Sequence, residues 1–338
     1  MHSFVIMVRN VLIFGADASL GSELTNMPPI GNTLFDELAK FSPQGWGVMP
    51  DNLANIFRED FEKGMKELSN NYTGMMTQIQ IIMATYFFKF LPTQSSLYLK
   101  LSQKIKNTFW DGAIVTLNYE RLLELCLRHV GLIPIPQEST FPNIEVCYPH
   151  GCCNIFCEGI SATRGINIGK NSISFRPGES LNFGQGGSVN FTSEGITTGG
   201  NAIRIINNPN EFYQKTDNTF PPVMSYFIPS KFTTLCANFI HMQRERFSKL
   251  VKQAENIAIV GIQVRPNDLH IWNHLSNCTG KIIYCSGTGG KKYKEWAKLN
   301  RKNFDNDMSC KHIGMKDLIK YVQKLNYKIQ IFYLNNIF

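Results

Sequence analysis

Residues 10–22 (NVLIFGADASLGS) constrain the fold more than any other part of this sequence. The four consecutive apolar residues 11–14 are typical of a strand that is buried on both faces in a parallel sheet. Gly15 ends this strand, and small residues lead from it toward a helix. Backbone N–H groups and the positive end of a helix dipole at such a junction favour a phosphate. The glycines lack the spacing of the dinucleotide fingerprint, so the segment alone indicates only a strand–turn–helix unit.

Further short apolar runs follow, and each one ends in polar residues or glycine. The predicted strands are residues 110–117, 144–148, 256–261 and 281–285. They alternate with segments whose apolar residues have helical spacing, which favours an α/β fold with a Rossmann-like, doubly wound parallel sheet. Their ends carry Asn118, His150, residues 261–268 and residues 286–290. Because ligands of such folds bind beyond the carboxyl ends of the strands, we expect these residues to meet in one site.

Two insertions are predicted within one domain that spans residues 1–338. Residues 31–109 follow a Pro/Gly turn and form an inserted helical layer, with helical spacing over residues 53–68 and 75–91. Residues 155–230 are rich in Gly, Ser, Asn and Thr, which indicates a loop-rich insertion of loops and short strands. Beyond it, we expect an amphipathic helix at residues 231–254 and an edge strand at residues 328–333.

Composition and charge narrow the class of protein. The 43% of apolar residues suffices for a full core, and the net charge of +8 favours an anionic ligand, nucleic acid or an acidic partner without selecting one. We find no motif for reading bases, no secretory signal and no apolar segment that would span a membrane. Nine cysteines in such a chain indicate reduced thiols. We therefore expect a soluble, cytoplasmic protein.

The residues at the predicted strand ends resemble motifs of the SIR2-like family, which comprises sirtuins and bacterial NAD-consuming relatives. Residues 15–19 (GADAS) are similar to the Gly-Ala-Gly-x-Ser loop of the family, and residues 116–120 (TLNYE) to its Thr-x-Asn-Tyr-Asp motif. Residues 149–151 (PHG) resemble the catalytic His-Gly. Residues 28–35 (PPIGNTLF) resemble the Pro-rich turn of bacterial members, and residues 261–268 (GIQVRPND) their version of the Gly-x-Ser loop.

This resemblance implies a SIR2 fold and an NAD+ glycohydrolase that cleaves NAD+ to ADP-ribose and nicotinamide. It implies that Asn118 and His150 are catalytic. The substrate NAD would contact Gly15, Ala16, Asp17, Ser19, Gly261 and Ile262. Asp17 departs from the family pattern, and its carboxylate would point at a ribose or pair with a cation such as Arg265.

The chemistry of the two residues agrees with this role. Cleavage of the nicotinamide–ribose bond creates an oxocarbenium-like centre, as in glycoside hydrolysis. The amide of Asn118 can hold a ribose hydroxyl or a water without adding charge, and His150 can accept a proton near neutral pH. Each residue also has a structural explanation, because an Asn after a strand forms turns and a His before Gly often packs or caps. Asp268 is interpreted as the cap of the following helix, and Glu120 occupies the place of a family Asp.

The chain also resembles standalone bacterial SIR2 effectors of anti-phage defence, which deplete NAD in abortive infection. That implies a gate, either homo-oligomerisation or a protein partner encoded nearby, such as an ATPase, an Argonaute-like protein or a nucleotide hydrolase. Two alternatives stay open: an NAD-dependent protein-lysine deacylase, and a catalytically idle subunit that binds NAD or ADP-ribose. No metal is expected, because the cysteines near His150 lack the paired Cys-x-x-Cys spacing of the zinc module of deacetylases. These are Cys147, Cys152, Cys153 and Cys157.

Overall fold

The structure is a computed structural model. It describes residues 10–108, 110–157, 203–216, 221–225, 236–265, 268–285, 290–310 and 318–319, and the backbone of short strands between residues 160 and 198. Several sequence expectations lie outside the described residues: the glycine-rich strand end at 286–289, the edge strand at 328–333, and the start of the helix predicted at 231–254.

A parallel sheet of seven strands forms the centre of the fold. From one edge to the other, its strands are β15 (Met308–Cys310), β14 (Lys281–Cys285), β13 (Asn256–Val260), β1 (Asn10–Phe14), β2 (Gly112–Thr116), β4 (Asn143–Cys147) and β3 (Ile133–Ile135). Every neighbouring pair is parallel. The predicted Rossmann-like, doubly wound parallel sheet is therefore confirmed. The two edge strands β3 and β15 were not predicted, because three residues are too few to show a hydrophobic pattern.

Helices cover both faces of this sheet. They are α1 (Ala16–Ser22), α2 (Gly31–Phe41), α3 (Asp51–Glu59), α4 (Phe61–Asn71), α5 (Met76–Phe88), α6 (Leu97–Asn107), α7 (Leu122–His129), α8 (Pro209–Thr216), α9 (Ala237–Gln253), α10 (Leu269–Asn277) and α11 (Gly290–Asn300). Helices α2 to α6 lie between β1 and β2 in the sequence, as the predicted helical layer requires. No helix in the described part of the chain is long and apolar enough to cross a membrane.

The apolar run in β1 is explained by burial on both faces. Successive side chains of a strand point to opposite faces of the sheet. Leu12 and Phe14 pack with the inserted helices, in a core that also contains the ring cluster of Phe35, Trp46, Phe57 and Phe61. Val11 and Ile13 pack on the other face, in a second core with residues of α9, α10 and α11. Neither face of β1 meets solvent.

The helical stretch at residues 53–68 forms two helices rather than one. Asp60 has an extended backbone (φ −155°, ψ 109°) and ends α3, and its carboxylate accepts hydrogen bonds from the N–H groups of Glu62 and Lys63. Asp60 is thus the N-cap of α4, a role for which aspartate is well suited. The apolar spacing continues across the break, which is why periodicity did not reveal it. The break places the start of α4 beside the carboxyl edge of the sheet.

The segment after β4 contains antiparallel strands. β5 (Ile155–Cys157) pairs with β12 (Ile203–Ile205), and β7 (Asn167–Ile168) with β8 (Ile173–Ser174). The remaining strands β6 (Ile160–Ala162), β9 (Ser180–Phe183), β10 (Gly187–Thr192) and β11 (Gly195–Thr198) form a separate four-stranded sheet. Cys157 and Cys236 are joined by a disulfide, so the expectation of reduced thiols is wrong for this pair.

The ends of β1 and β13 are packed backbone to backbone. Gly261 has a positive φ of 68°, and a Cβ there would lie 2.1 Å from the nitrogen of Ala18. A Cβ on Gly15 would lie 2.6 Å from the carbonyl oxygen of Gly261. Both positions therefore require glycine, one for its conformation and both for space.

We predict that Gly261→Ala lowers the free energy of unfolding by about 3 kcal/mol, since it adds backbone strain and forces α1 away from β13. Gly21→Ala is the matched control, because Gly21 lies in α1 with nothing within 4 Å of the position that its Cβ would take. Urea denaturation of both variants measures the effect. Equal stabilities of the two variants would show that the close approach of the two junctions is wrong.

Candidate active site

A cleft of about 630 Å³ opens at the carboxyl edge of the sheet. It lies where β1 separates β2 from β13, the point at which the chain changes direction across the sheet and where such folds bind ligands. Its volume lies within the range of ordinary ligand sites. All eight site residues predicted from the sequence line it: Gly15, Ala16, Asp17, Ser19, Asn118, His150, Gly261 and Ile262. The inserted helices add a wall that includes Glu59, Asp60, Phe61, Glu62 and Phe87.

The start of α1 is bonded to its surroundings through its backbone. The N–H groups of Gly15 and Asp17 donate to the carbonyl oxygens of Val260 and Gly261, at 2.9 and 3.3 Å, and that of Ala18 donates to Gly15 at 3.0 Å. We expected the amides of residues 15–19 to hold a pyrophosphate. Since three of these amides are engaged within the protein, that contact stays a prediction.

Asp17 and Arg265 do not form the ion pair that the sequence suggested. The Asp17 carboxylate accepts a hydrogen bond from Nε2 of Gln263 at 3.4 Å. Arg265 Nη1 instead lies 3.3 Å from a carboxylate oxygen of Glu62. Glu62 belongs to α4 and Arg265 follows β13, so this ion pair bridges the cleft from the inserted helices to the sheet.

The cleft has an acidic lining. Its carboxylate residues are Asp17, Glu59, Asp60, Glu62, Glu120 and Asp268, and among the described lining residues Arg265 is the one arginine or lysine. Such a lining stabilises a developing positive charge and repels an anion. It therefore favours a cationic group over an anionic one in the cleft.

Asn118 is held by a buried hydrogen-bond network. Its Nδ2 donates to Ser19 Oγ at 2.8 Å, and Ser19 Oγ donates to Glu120 Oε1 at 2.5 Å. The hydroxyl of Tyr98 lies 3.0 Å from Ser19 Oγ. Asn118 itself is 6% exposed, and its Oδ1 has no hydrogen-bond partner among the described residues. A buried acceptor of this kind is costly unless a bound hydroxyl or water satisfies it.

Glu120 organises this network. Its second carboxylate oxygen accepts the N–H of Leu122 at 2.6 Å, at the start of α7. Burial raises the pKa of the Glu120 carboxyl, and the hydrogen bonds from Ser19 and Leu122 oppose that rise. Ser19, expected to bind the cofactor, is thereby bonded to both Asn118 and Glu120. No local sequence pattern signals this pairing, because Ser19 lies 99 positions from Asn118 and 101 positions from Glu120.

His150 is fixed through its backbone. Its carbonyl accepts the N–H of Ser225 at 2.8 Å, and Gly151 has a φ of 76°, where a Cβ would lie 1.9 Å from the carbonyl oxygen of Val223. Helix α9 supports the same loop: Arg244 donates to the carbonyl of Pro149 at 3.3 Å and to Ser225 Oγ at 2.7 Å. The imidazole is 5% exposed.

The His150 ring contacts a second histidine. Its Nε2 lies 2.8 Å from Nε2 of His270, in the first turn of α10. One ligand atom from each of His150, Asp268 and His270 lies within 4.8 Å of the other two, a set that a divalent cation can use. From the sequence, Asp268 was interpreted as the cap of this helix, and His270 was not singled out. Its position two residues after Asp268, at a strand end, was the available signal.

The cysteines near His150 have chemistry unlike that of zinc ligands. Cys147 and Cys152 donate from Sγ to the carbonyl oxygens of Gln243 and Tyr119, at 3.0 and 3.2 Å. Burial raises the pKa of both thiols. Cys157 is in the disulfide.

Solved sirtuin structures are similar to this α/β chain. A SIR2 homologue in complex with NAD is 13% identical, with 94% of this chain and 90% of that chain covered and a TM-score of 0.41. A sirtuin studied for substrate affinity is 12% identical, with coverages of 94% and 93% and a TM-score of 0.43. No protein-family model and no curated protein matches the sequence. Similarity at this level assigns no function, which must be inferred from the residues of the cleft.

The buried carboxyl of Glu124, behind the cleft, makes the stability of the protein depend on pH. Glu124 lies in α7, and burial, reinforced by the nearby Glu120, raises the pKa of its carboxyl from 4.5 to about 8. Between these values the folded protein retains a proton that the unfolded chain releases. The free energy of unfolding therefore decreases as the pH rises through this range, by at most about 1.4 kcal/mol per pH unit from this group.

We predict that Glu124→Gln removes this pH-dependent contribution to the free energy of unfolding. The variant should therefore gain stability relative to the wild type as the pH rises from about 5 to about 8. Urea denaturation at several pH values measures the difference. Glu295→Gln, at an exposed carboxyl, serves as control and should run parallel to the wild type. A stability difference between Glu124→Gln and wild type that does not change with pH would contradict the prediction.

Proposed function

We propose that this chain is an NAD+ glycohydrolase of the SIR2-like type, which converts NAD+ and water to ADP-ribose and nicotinamide. One observation carries the proposal: Asn118, with its unpartnered buried Oδ1, and His150 line the same cleft at the switch point of a parallel sheet. A glycosidic cleavage needs a group that positions a hydroxyl or water and a group that accepts its proton, and these two residues supply both.

Asn118 would position the attacking water or a ribose hydroxyl. Because Nδ2 donates to Ser19, the orientation of the amide is fixed and Oδ1 is the atom left to accept a hydrogen bond. Because the amide is neutral, it can position the water or hydroxyl without holding the nicotinamide leaving group in place. Pre-orientation by Ser19 and Glu120 lowers the cost of reaching a reactive arrangement.

His150 would accept the proton of the attacking group. Its backbone is anchored on both sides, so the imidazole keeps its place beside the cleft. The acidic lining would stabilise the positive charge that develops on the ribose as nicotinamide leaves. Nicotinamide departs as a neutral molecule, because the electrons of the broken bond neutralise the pyridinium.

Hydrolysis is favoured over lysine deacylation by the surroundings of His150. Cys147 and Cys152 there donate to backbone carbonyl oxygens and Cys157 is in a disulfide, which argues against a zinc module of the kind that supports a peptide groove in deacetylases. The wall opposite the sheet is made by the inserted helices.

We further propose that activity is gated by homo-oligomerisation or by a partner protein, in a cytoplasmic role of NAD depletion during anti-phage defence.

We predict that the protein releases nicotinamide and ADP-ribose from NAD+ without any peptide. Asn118→Ala and His150→Ala should each lower the rate at least about 100-fold, the usual contribution of positioned acid–base groups. Chromatography of NAD+ incubated with each protein measures this. Asn107→Ala, at an exposed position outside the cleft, is the control and should keep the wild-type rate.

The same experiment, repeated with an acetylated peptide, separates the alternatives. Nicotinamide that appears only with the peptide would replace hydrolysis by lysine deacylation. Binding of ADP-ribose without turnover, in every oligomeric state and with co-purified partners, would make the chain an idle binding subunit. Wild-type rates in both Asn118→Ala and His150→Ala would contradict the site.

A further inference from the structure

Two histidine rings meet beside the cleft, and the proposed hydrolysis uses only one of them. His150 follows β4, His270 lies in the first turn of α10, and their Nε2 atoms are 2.8 Å apart. The ring centroids are 5.0 Å apart, with an angle of 38° between the ring planes. His150 and Asp268 line the cleft, whereas His270 is not among the described lining residues. His270 therefore adjoins the cleft through its contact with His150.

A nitrogen–nitrogen distance of 2.8 Å requires one proton between the two atoms. One Nε2 must donate and the other must accept, so each ring fixes the tautomer of its neighbour. Two nitrogen ligands of one tetrahedral ion, each about 2.0–2.1 Å from the metal, would be separated by about 3.3 Å. The observed distance of 2.8 Å is that of a hydrogen bond between the rings.

Asp268 places a carboxylate next to this pair. Its ligand oxygen and one nitrogen of each ring lie within 4.8 Å of one another. When the pair takes up a second proton, a positive charge forms that this carboxylate stabilises.

We propose that His270 is a positioning residue that acts through His150, with Asp268 as the counter-charge. This proposal rests on the proposed hydrolysis. The O–H bond of the attacking water breaks, and its proton forms an N–H bond on His150. The oxygen electron pair bonds to the anomeric carbon, and the electrons of the broken ribose–nicotinamide bond leave with nicotinamide. His270 fixes the reactive tautomer of His150 and shares the added proton, which later passes to solvent.

Three variants test the proposal through the rate of NAD+ cleavage and the affinity for ADP-ribose. His270→Ala should lower kcat by about 10- to 100-fold with KM changed less than about threefold, as expected when a partner of a catalytic histidine is removed. His270→Gln, which can still bond to the His150 ring but cannot take its proton, should have an intermediate kcat. His274→Ala is the matched control, because it lies one turn further along α10, where its ring is bonded to Ser248. It should retain kcat within about twofold.

Nitrogen-15 NMR of the histidine side chains tests the pair independently of turnover. In the wild type, one of the two Nε2 atoms should be protonated and the other not, and His270→Ala should change the tautomer population of His150. If the wild type shows this signature but cleaves no NAD+ in any state, the proposed function fails and the pairing stands.

Three results would overturn the proposal. The first is a kcat for His270→Ala within twofold of the wild type. The second is a loss of ADP-ribose binding and of kcat in parallel, which would make His270 merely structural. The third is loss of activity on chelator treatment with recovery on addition of Zn²⁺ or Mn²⁺, which would make His150, Asp268 and His270 ligands of a metal ion.

Discussion

The close approach of two backbones at the carboxyl edge of the sheet determines the shape of the site. Gly261 leaves β13 with a left-handed backbone and lies against the first turn of α1, at a distance where no side chain fits. Hydrogen bonds from Gly15 and Asp17 to the carbonyls of Val260 and Gly261, at the end of β13, join the two junctions. Parallel strands bring their carboxyl ends to one edge of the sheet. The contact of Gly261 with α1 decides how near the ends of β1 and β13 come to each other. Arg265, which follows Gly261, then reaches the inserted helices at Glu62.

Two further contacts place the reacting side chains on this frame. Ser19 connects α1 to the loop after β2, because it bonds both Asn118 and Glu120. Helix α9 holds the loop after β4 through Arg244. Each side chain of the site is thus supported by an element distant in sequence. A site assembled in this way is sensitive to the packing of α1 and α9 as well as to its own residues.

Much of the fold could be predicted from the sequence because its signals are local. Buried strands such as residues 11–14 appear as short apolar runs, and the polar residues at their ends mark the ligand-binding edge. Asn118 and His150 were identified at such ends, and the structure brings both to the cleft. The placement of these two residues could be predicted because a parallel sheet brings the carboxyl ends of its strands to one edge.

The rest depends on packing between distant segments. The break at Asp60 does not interrupt the apolar periodicity of its helices, so only the structure reveals the cap. The contact of His150 with His270 joins residues 120 positions apart and depends on how α10 packs against α9. The hydrogen bond from Ser19 to Glu120 likewise joins residues that are 101 positions apart. Of the two roles suggested for Asp17, the ion pair with Arg265 does not form, because the arginine pairs with Glu62 from the inserted helices.

The proposed hydrolysis requires that the cleft bind a dinucleotide, with Asn118 and His150 beside the reacting ribose. A crystal structure of the chain with ADP-ribose tests this most directly. We expect the ribose that had carried nicotinamide to lie in the cleft, with a hydroxyl or water within hydrogen-bond distance of Asn118 Oδ1 and the His150 ring adjacent. ADP-ribose bound elsewhere on the protein, with the cleft free of nucleotide, would contradict it.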